Sequence, residues 1–198
     1  MSVYEARTAT STTRPLSPTG QRTIPPTGPT PPPADAATVP ADRLRQTLRH
    51  HAAGVVIVTG DAGGDPVGLT ATSFTSVSLT PPLVGFYIAE SSSTWPQLRQ
   101  TGEFAVHLLG SGQADLAARF ATKGADRFAA PTRWTRGANN VPLLSDAIAH
   151  LVCRWHDVHR LGDHWLVVGE VTDTASPTEP QAPLLYHQGS FGGFTAFG

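Results

Sequence analysis

The sequence predicts a mainly β fold, an antiparallel barrel with helices at its periphery. Five or more short apolar or β-branched runs are separated by clusters of turn residues, which is typical of an antiparallel barrel. The segments with helical periodicity are short and lie between these runs. A parallel sheet would require a strict alternation of strands and helices, and the sequence does not have it.

The first forty residues differ in composition from the rest of the chain. They contain nine of the 18 prolines and twelve Ser or Thr residues. So few apolar side chains cannot offset the entropy cost of ordering the segment, and we predict a disordered tail at residues 1–40 and a folded domain at residues 41–198. The tail has no apolar stretch like that of a secretory signal, and its prolines would interrupt the amphipathic helix of a transit peptide.

Charge and cysteine content exclude several classes of protein. The chain has 198 residues, and its 14 Lys+Arg against 15 Asp+Glu give a net charge of -1, which argues against a broad nucleic-acid-binding surface. Nothing approaches eighteen consecutive apolar residues, so we expect no transmembrane helix and no membrane partner. A single cysteine, Cys153, excludes an intrachain disulfide and a cysteine-based zinc module, and it suits a reducing cytoplasm, where we expect the protein to be located.

The predicted domain begins with one helix and continues as strands. Leu44, Leu48 and His51 have helical spacing and predict a short amphipathic helix over residues 42–51. Turn residues at 61–66 indicate a hairpin between the first two strands. The predicted strands of this half are Gly54–Thr59, Val67–Ala71, Phe74–Leu79 and Leu83–Ile88.

The second half alternates two short helices with strands. One helix is expected to begin at Ser93 or Thr94, and a second spans residues 111–121 behind a Ser cap. Residues 133–147 are ambiguous, and the aromatic, glycine-rich end of the chain is left unassigned. The predicted strands are Glu103–Leu109, Ile148–His159 and Trp165–Asp173, with a turn at 160–163 between the last two.

The common catalytic motifs are missing from the sequence. There is no phosphate-binding loop, no dinucleotide fingerprint, no zinc-protease motif and no nucleophile elbow. A Ser–His–Asp hydrolase is compatible with the composition, but no serine lies at a predicted strand-to-helix turn.

Four potential metal ligands recur every three residues: His150, Cys153, His156 and His159. On a helix they would share one face and could bind one metal ion. The apolar and aromatic residues between them favour a strand, where positions three apart face opposite sides of the sheet. We therefore predict no metal site.

Hydroxyl residues are concentrated in two neighbouring segments. Six lie between Thr70 and Ser78, and residues 91–94 have the sequence Ser-Ser-Ser-Thr just before a predicted helix. Hydroxyls together with the free amides of a helix amino terminus suit a phosphate. Neither feature is specific alone, but together they predict a phosphate site beside a surface of small residues that could hold a planar ring.

A series of segments in family order and spacing carries a resemblance over residues 43–194. These segments are Gly68–Phe74, Val77–Leu83, Ser91–Trp95, Leu116–Ala121 with Arg127-Phe128, Gly162–His164 and Tyr186 with Gly189–Phe191. In them the chain resembles the short-chain flavin reductases, whose fold is the Greek-key-like FMN-binding split barrel and whose members include reductase components of two-component monooxygenases.

The resemblance implies a homodimer with flavin bound in a groove near the subunit interface. It implies that the isoalloxazine and ribityl chain contact Ala71, Thr72, Ser73 and Phe74, that the ribityl chain and phosphate are held by Ala89, Glu90, Ser91, Ser92, Ser93 and Thr94, and that Phe120 and Phe128 line the pocket. His164 matches the position that binds the nicotinamide nucleotide. For Phe120 and Phe128 the alternative role is core packing. For Asp163 and His164 the alternative is a simple hairpin turn.

Two positions depart from the usual family pattern. Thr72 stands where members often have Asn, and Thr80 stands where they often have Asp. The first change removes an amide that could contact a flavin edge, and the second is expected to affect only the turn.

The implied activity is NAD(P)H-dependent reduction of a flavin, FMN or FAD, by hydride transfer from nicotinamide C4 to flavin N5. The flavin carries the chemistry, so no catalytic protein residue is required. Reduced flavin would then diffuse to a partner monooxygenase. The alternatives are a split-barrel flavoenzyme that keeps its flavin and acts on an organic substrate, and a non-catalytic flavin- or haem-binding module. The sequence does not decide between FMN and FAD, or between NADH and NADPH.

Overall fold

The computed structural model describes residues 38–177, 179 and 181–197. The prediction of a disordered tail at residues 1–40 falls almost entirely outside this part, so it stays a prediction. No helix in the described ranges combines the length and the apolar character needed to cross a membrane. The elements in chain order are α1 (Ala41–Leu48), β1 (Ala53–Gly54), β2 (Val56–Ala62), β3 (Asp65–Ala71), β4 (Thr75–Leu79), β5 (Pro82–Ala89), α2 (Trp95–Leu98), β6 (Glu103–Leu108), α3 (Ala114–Ala121), β7 (Trp134–Arg136), a 3₁₀ turn (Ala138–Asn140), β8 (Pro142–Leu144), β9 (Ala149–Leu161), β10 (His164–Ala175), β11 (Leu185–His187) and β12 (Ser190–Gly192).

A seven-stranded sheet organises the domain, in the order β3-β2-β6-β9-β10-β5-β4. Every neighbouring pair in it is antiparallel. Its inner face buries a core that includes Phe86, Phe104 and Trp95. The predicted fold class, mainly β and antiparallel with peripheral helices, is confirmed.

The sheet curls so that its two edges approach each other. Strands β3 and β4 are consecutive in the chain but lie at opposite edges of the sheet. Just after β3, the Ser73 hydroxyl accepts a hydrogen bond from the Tyr87 amide at 2.9 Å and donates one to the Tyr87 carbonyl at 3.1 Å. The Ser73 side chain thus connects the segment after β3 to the main chain of β5.

A second apolar cluster lies on the other side of β2. It joins Ile57 to α3 through Ala117 and Phe120, and to the end of the chain through Leu184. Strands β1, β11 and β12 form a small separate sheet beside it. Packing against this cluster fixes α3 against β2 and β3.

Two predictions need correction, and one undecided segment is now assigned. The helix α1 exists, but it ends at Leu48 rather than at residue 51, and none of its residues is buried. Helix α3 begins at Ala114 without a Ser cap, and the Gln113 side chain instead accepts a hydrogen bond from the Gly110 amide at 2.7 Å. The ambiguous residues 133–147 form the hairpin of β7 and β8, whose strands are too short for a periodic pattern.

The two long predicted strands are β9 and β10, and they extend further than the apolar runs did. Only Gly162 and Asp163 separate them, with Gly162 at a φ of 61°, a conformation that favours glycine. The strand prediction for the histidine-rich segment is confirmed. Cys153 is buried in the core while His156 and His159 are exposed, so these residues do not share a face.

Candidate functional site

A cleft of about 300 Å³ lies between the end of β5 and the carboxyl end of α3, and we name it the β5–α3 cleft. Thr70 lies at its side, where the Thr70 hydroxyl donates to the Ala117 carbonyl at 2.7 Å. The lining residues are Leu69, Thr70, Tyr87, Ile88, Ala89, Ser91, Ser92, Ser93, Thr94, Phe120, Ala121, Lys123 and Arg127. The cleft therefore combines hydroxyl groups with two cations.

Arg127 is held in the cleft by uncharged groups. Its guanidinium donates to the Phe120 carbonyl at 3.0 Å, to the Thr122 carbonyl at 3.0 Å and to the Thr94 hydroxyl at 3.2 Å. Partial burial lowers the pKa of Arg127, because desolvation disfavours the charged form. No carboxylate among the described residues pairs with this cation. Its orientation is fixed while its charge is left for an anion.

The sequence predicted that the amino terminus of a helix would attract a phosphate here. In the structure, the positive charge of this cleft does not come from a helix amino terminus. Helix α2 has only four residues, and Thr94 before it makes no side-chain capping bond. So short a helix has almost no macrodipole, since the effect requires several aligned peptide units. The side chains of Lys123 and Arg127 supply the charge instead. No motif in the sequence marks Lys123 or Arg127 as a binding residue, although Arg127 lies within a segment of the resemblance.

The predicted ring-binding segment directs most of its side chains into the protein. Ala71 is buried, Phe74 packs against the core, and the Ser73 hydroxyl is occupied by Tyr87. The exposed Thr72 lines a separate cleft beside α1. A ligand at this segment would therefore meet main chain and the Thr72 side chain.

Two other residues predicted to bind the flavin, Glu90 and Phe128, are not in the lining of the β5–α3 cleft, and a third, Phe120, lines it from below. The Glu90 carboxylate accepts a hydrogen bond from Arg160 at 2.9 Å and is not part of the lining. Phe120 is fully buried and forms the floor, and its ring packs edge-to-face on Phe128 at 5.2 Å. Phe128 lines a smaller neighbouring cavity together with Arg127.

His164 begins β10 directly opposite Ala89, which ends β5 at the cleft. Its Nδ1 lies 2.7 Å from an Asp163 carboxylate oxygen. The hydrogen bond from His164 holds the pKa of Asp163 below its usual range. The pair orients the exposed imidazole near the residues that follow β5.

Comparison with known proteins places this geometry in a family. The model of the flavin reductase like domain matches residues 48–195. The chain belongs to the flavin reductase-like family. The resemblance seen in the sequence is thereby confirmed.

Relatives and solved structures of this family cover most of the chain. An NADH:FMN oxidoreductase of Rhodococcus qingshengii is 43% identical over 76% of this chain and 80% of its own length. The reductase subunit of a flavin-dependent monooxygenase of Rhodococcus jostii is 35% identical over 80% of each chain. A solved structure of a Streptomyces globisporus NADH:FAD oxidoreductase, in complex with NAD and FAD fragments, superimposes with a TM-score of 0.73. It is 35% identical, and the match covers 80% of this chain and 96% of that one.

Proposed function

We propose that this protein is an NAD(P)H-dependent flavin reductase that supplies reduced flavin to a separate monooxygenase. The observation that carries the proposal is the β5–α3 cleft, which is lined by residues 91–94 together with Lys123 and with an Arg127 that is oriented by the Thr94 hydroxyl and by main-chain carbonyls. Family relatives named NADH:FMN oxidoreductase and monooxygenase reductase subunit support it.

The cleft fits the phosphate end of a flavin. A phosphomonoester carries up to two negative charges, and Lys123 and Arg127 supply two positive ones in a partly desolvated site. The hydroxyls of Ser91, Ser92 and Ser93 add further donors. Because both FMN and FAD carry this proximal phosphate, these groups serve either.

The ring would lie along residues 71–74, next to the cleft. The Ser73 bonds to Tyr87 hold this segment in place, so its main chain is preorganised for a planar ligand. When bound, the flavin accepts a hydride at N5 from C4 of the nicotinamide. The protein contributes binding and orientation, and no nucleophile or acid is needed.

His164 is the proposed contact to the nicotinamide nucleotide. The bond between Nδ1 and Asp163 leaves Nε2 for an amide or phosphate of that substrate. The position opposite Ala89 supports this role, because it places the imidazole near the proposed flavin site.

A homodimer is the proposed assembly. Val77 of β4, Tyr87 of β5 and Leu161 of β9 belong to the same sheet and have exposed fractions of 51%, 42% and 50%. An apolar surface of this kind is typical of a protein interface. Light scattering coupled to gel filtration tests it: we expect a dimer for the natural protein and a monomer for Val77→Asp. A monomeric natural protein would refute the assembly.

A cytoplasmic location is also proposed. The single cysteine of the sequence, Cys153, is free and buried, so the fold depends on no intrachain disulfide and tolerates a reducing compartment. NAD(P)H, as a substrate, is consistent with that location.

The activity is tested by NADH and NADPH oxidation, followed at the nicotinamide absorbance with FMN, FAD, riboflavin or no flavin. We expect oxidation that increases with added flavin. Arg127→Ala is expected to raise the KM for FMN about tenfold or more but to leave the KM for riboflavin unchanged, because riboflavin has no phosphate. Arg119→Ala, which removes an arginine of α3 that is not in the lining of the cleft, is the control.

Two outcomes would support the other functions instead. Bound flavin without any NAD(P)H oxidation would favour a flavin-binding module. Tightly retained flavin that turns over only with an organic substrate would favour a flavoenzyme of that kind.

A further inference from the structure

Lys123 is the only lysine of this chain. The sequence has 14 Lys+Arg residues, and every one of the others is an arginine. Lys123 lies in the lining of the β5–α3 cleft together with Arg127. A primary amine is a nucleophile when it is unprotonated, whereas a guanidinium remains charged. Of the two cations in the cleft, only Lys123 can therefore lose its charge by acylation, and the proposed function assigns no role to this chemistry.

The main chain on both sides of Lys123 is held in a defined conformation. Thr122 caps the carboxyl end of α3, and its amide and its hydroxyl both donate to the Ala118 carbonyl, at 3.1 Å and 2.8 Å. The Thr122 carbonyl accepts a hydrogen bond from the Arg127 guanidinium at 3.0 Å. Gly124 follows with a φ of 77°, a left-handed conformation that commonly follows the end of a helix. The Lys123 side chain therefore extends from a fixed position beside Arg127.

The amine of Lys123 is not committed to a partner within the protein. The residue is exposed. In the part of the chain that the structure describes, no carboxylate forms an ion pair with it. Asp126, the acidic residue nearest to it in the chain, instead accepts hydrogen bonds from the amides of Phe128 and Ala129, at 3.2 Å and 3.0 Å. A small reagent can therefore reach the amine.

A phosphate bound in the cleft would bring its own substituent close to this amine. Arg127 is oriented by the carbonyls of Phe120 and Thr122, and a guanidinium forms charge-assisted hydrogen bonds to phosphate. Lys123 lines the same cleft, whose volume is about 300 Å³. Holding two reacting groups in one site raises their effective concentration. The cleft is therefore suited to present a phosphate-linked acyl group to Lys123.

We propose that Lys123 is an acylation site and that the β5–α3 cleft directs acyl phosphates to it. The unprotonated Nζ of Lys123 attacks the acyl carbon, and an amide bond forms. The bond between the acyl carbon and the phosphate oxygen breaks, and inorganic phosphate leaves with the electron pair of that bond. The nitrogen loses one proton to phosphate or water, and nothing is oxidised or reduced.

Acylation of Lys123 would weaken the binding of the flavin phosphate. An amide has no positive charge, so the cleft would keep the charge of Arg127 and lose that of Lys123. FMN would bind less tightly, whereas riboflavin, which has no phosphate, would be little affected. This consequence rests on the proposed function, but the acylation itself requires only that the cleft bind a phosphate group.

The first measurement is the rate at which acetyl phosphate acetylates Lys123 in the full-length protein without added flavin, followed by peptide mass spectrometry at alkaline pH. We expect saturating inorganic phosphate to slow the reaction about tenfold, while sodium chloride of equal ionic strength does not. Arg127→Ala should slow it by a similar factor, and Arg119→Ala, outside the lining, should not change it. Acetic anhydride, which has no phosphate, should acetylate Lys123 equally fast in all three proteins.

The competition by inorganic phosphate uses the natural protein, so it decides the question even if Arg127→Ala does not fold. An acetylation rate that inorganic phosphate does not lower would overturn the inference. Acetylation that is directed in this way while NAD(P)H oxidation is absent would support the inference and overturn only the proposed reductase activity.

The second measurement is the Kd for FMN and for riboflavin, by fluorescence titration before and after treatment with acetyl phosphate. We expect the Kd for FMN to rise about tenfold in the acetylated natural protein and in Lys123→Gln, with the Kd for riboflavin within about twofold. Lys123→Arg has no amine to acetylate, so the treatment should leave its Kd for FMN at the value before treatment. An unchanged Kd for FMN in protein acetylated at Lys123 would overturn the proposed loss of flavin binding.

Discussion

The buried His107 is expected to make the fold sensitive to acid. His107 and Thr59 are both fully buried. The Thr59 hydroxyl donates its only proton to the Pro142 carbonyl at 2.6 Å, so His107 Nε2 must be the donor in its 3.0 Å contact with the Thr59 oxygen. His107 Nδ1 is buried and has no partner in the described part of the chain. The site therefore holds a neutral imidazole and offers nothing to stabilise a second ring proton.

The size of the effect follows from proton linkage. Burial, with a contribution from the nearby His150, lowers the pKa of His107 from 6.5 to about 3. The unfolded chain takes up this proton below pH 6.5 and the folded chain does not, so stability is complete above pH 6.5 and is lost as the pH falls toward 3. At pH 5, which is 1.5 units below the unfolded value, the loss is about 2 kcal/mol at 1.36 kcal/mol per unit. This is a substantial share of a typical unfolding free energy of about 5–15 kcal/mol.

The assay is urea unfolding at pH 7 and at pH 5. The variant is His107→Gln, whose side-chain amide can still donate to Thr59 but does not titrate. We expect the variant to be less stable at pH 7, yet to lose about 2 kcal/mol less than the natural protein between the two pH values. His156→Gln, which changes an exposed histidine of β9, serves as the control for loss of a histidine. An equal pH-dependent loss in the natural protein and in His107→Gln would refute the reasoning.

Two further changes test the packing and the nucleotide site. Gly169→Ala is expected to destabilise the protein by about 2 kcal/mol, because a Cβ there would lie 2.4 Å from the Phe104 ring, whereas Gly102→Ala meets nothing within 4 Å and should be nearly neutral in thermal unfolding. His164→Ala is expected to raise the KM for NAD(P)H much more than it changes flavin affinity in fluorescence titrations, while His159→Ala, another exposed histidine beside an aspartate, should change neither. If His164→Ala leaves the KM for NAD(P)H unchanged, His164 does not bind the nucleotide.

The sequence by itself determined the strands, the antiparallel fold class and the family. Strands are readable because β-branched and apolar runs with turn residues between them express local preferences, as in Val67–Ala71 and Leu83–Ile88. Family membership can be predicted because several short segments match those of the family in the same order and at the same spacing. The prediction of a strand, rather than a helix, at residues 148–159 depended on the same local composition, and the structure has β9 there.

Other features were decided only by the tertiary structure. Lys123 and Arg127, which follow α3, join residues 91–94 because α3 packs on the second apolar cluster, and no local pattern encodes a contact across about thirty residues. The contact of Arg49 with the turn at Gln188 likewise joins residues that are 139 positions apart in the chain. The length of a helix and the hydrogen-bond partners of a side chain also depend on the residues packed around them. Thus α2 is too short to serve as an anion site, and the Ser73 hydroxyl is hydrogen-bonded to the Tyr87 main chain. Secondary-structure propensity depends on a few neighbouring residues. A binding site, by contrast, forms only when the curled sheet brings distant segments together.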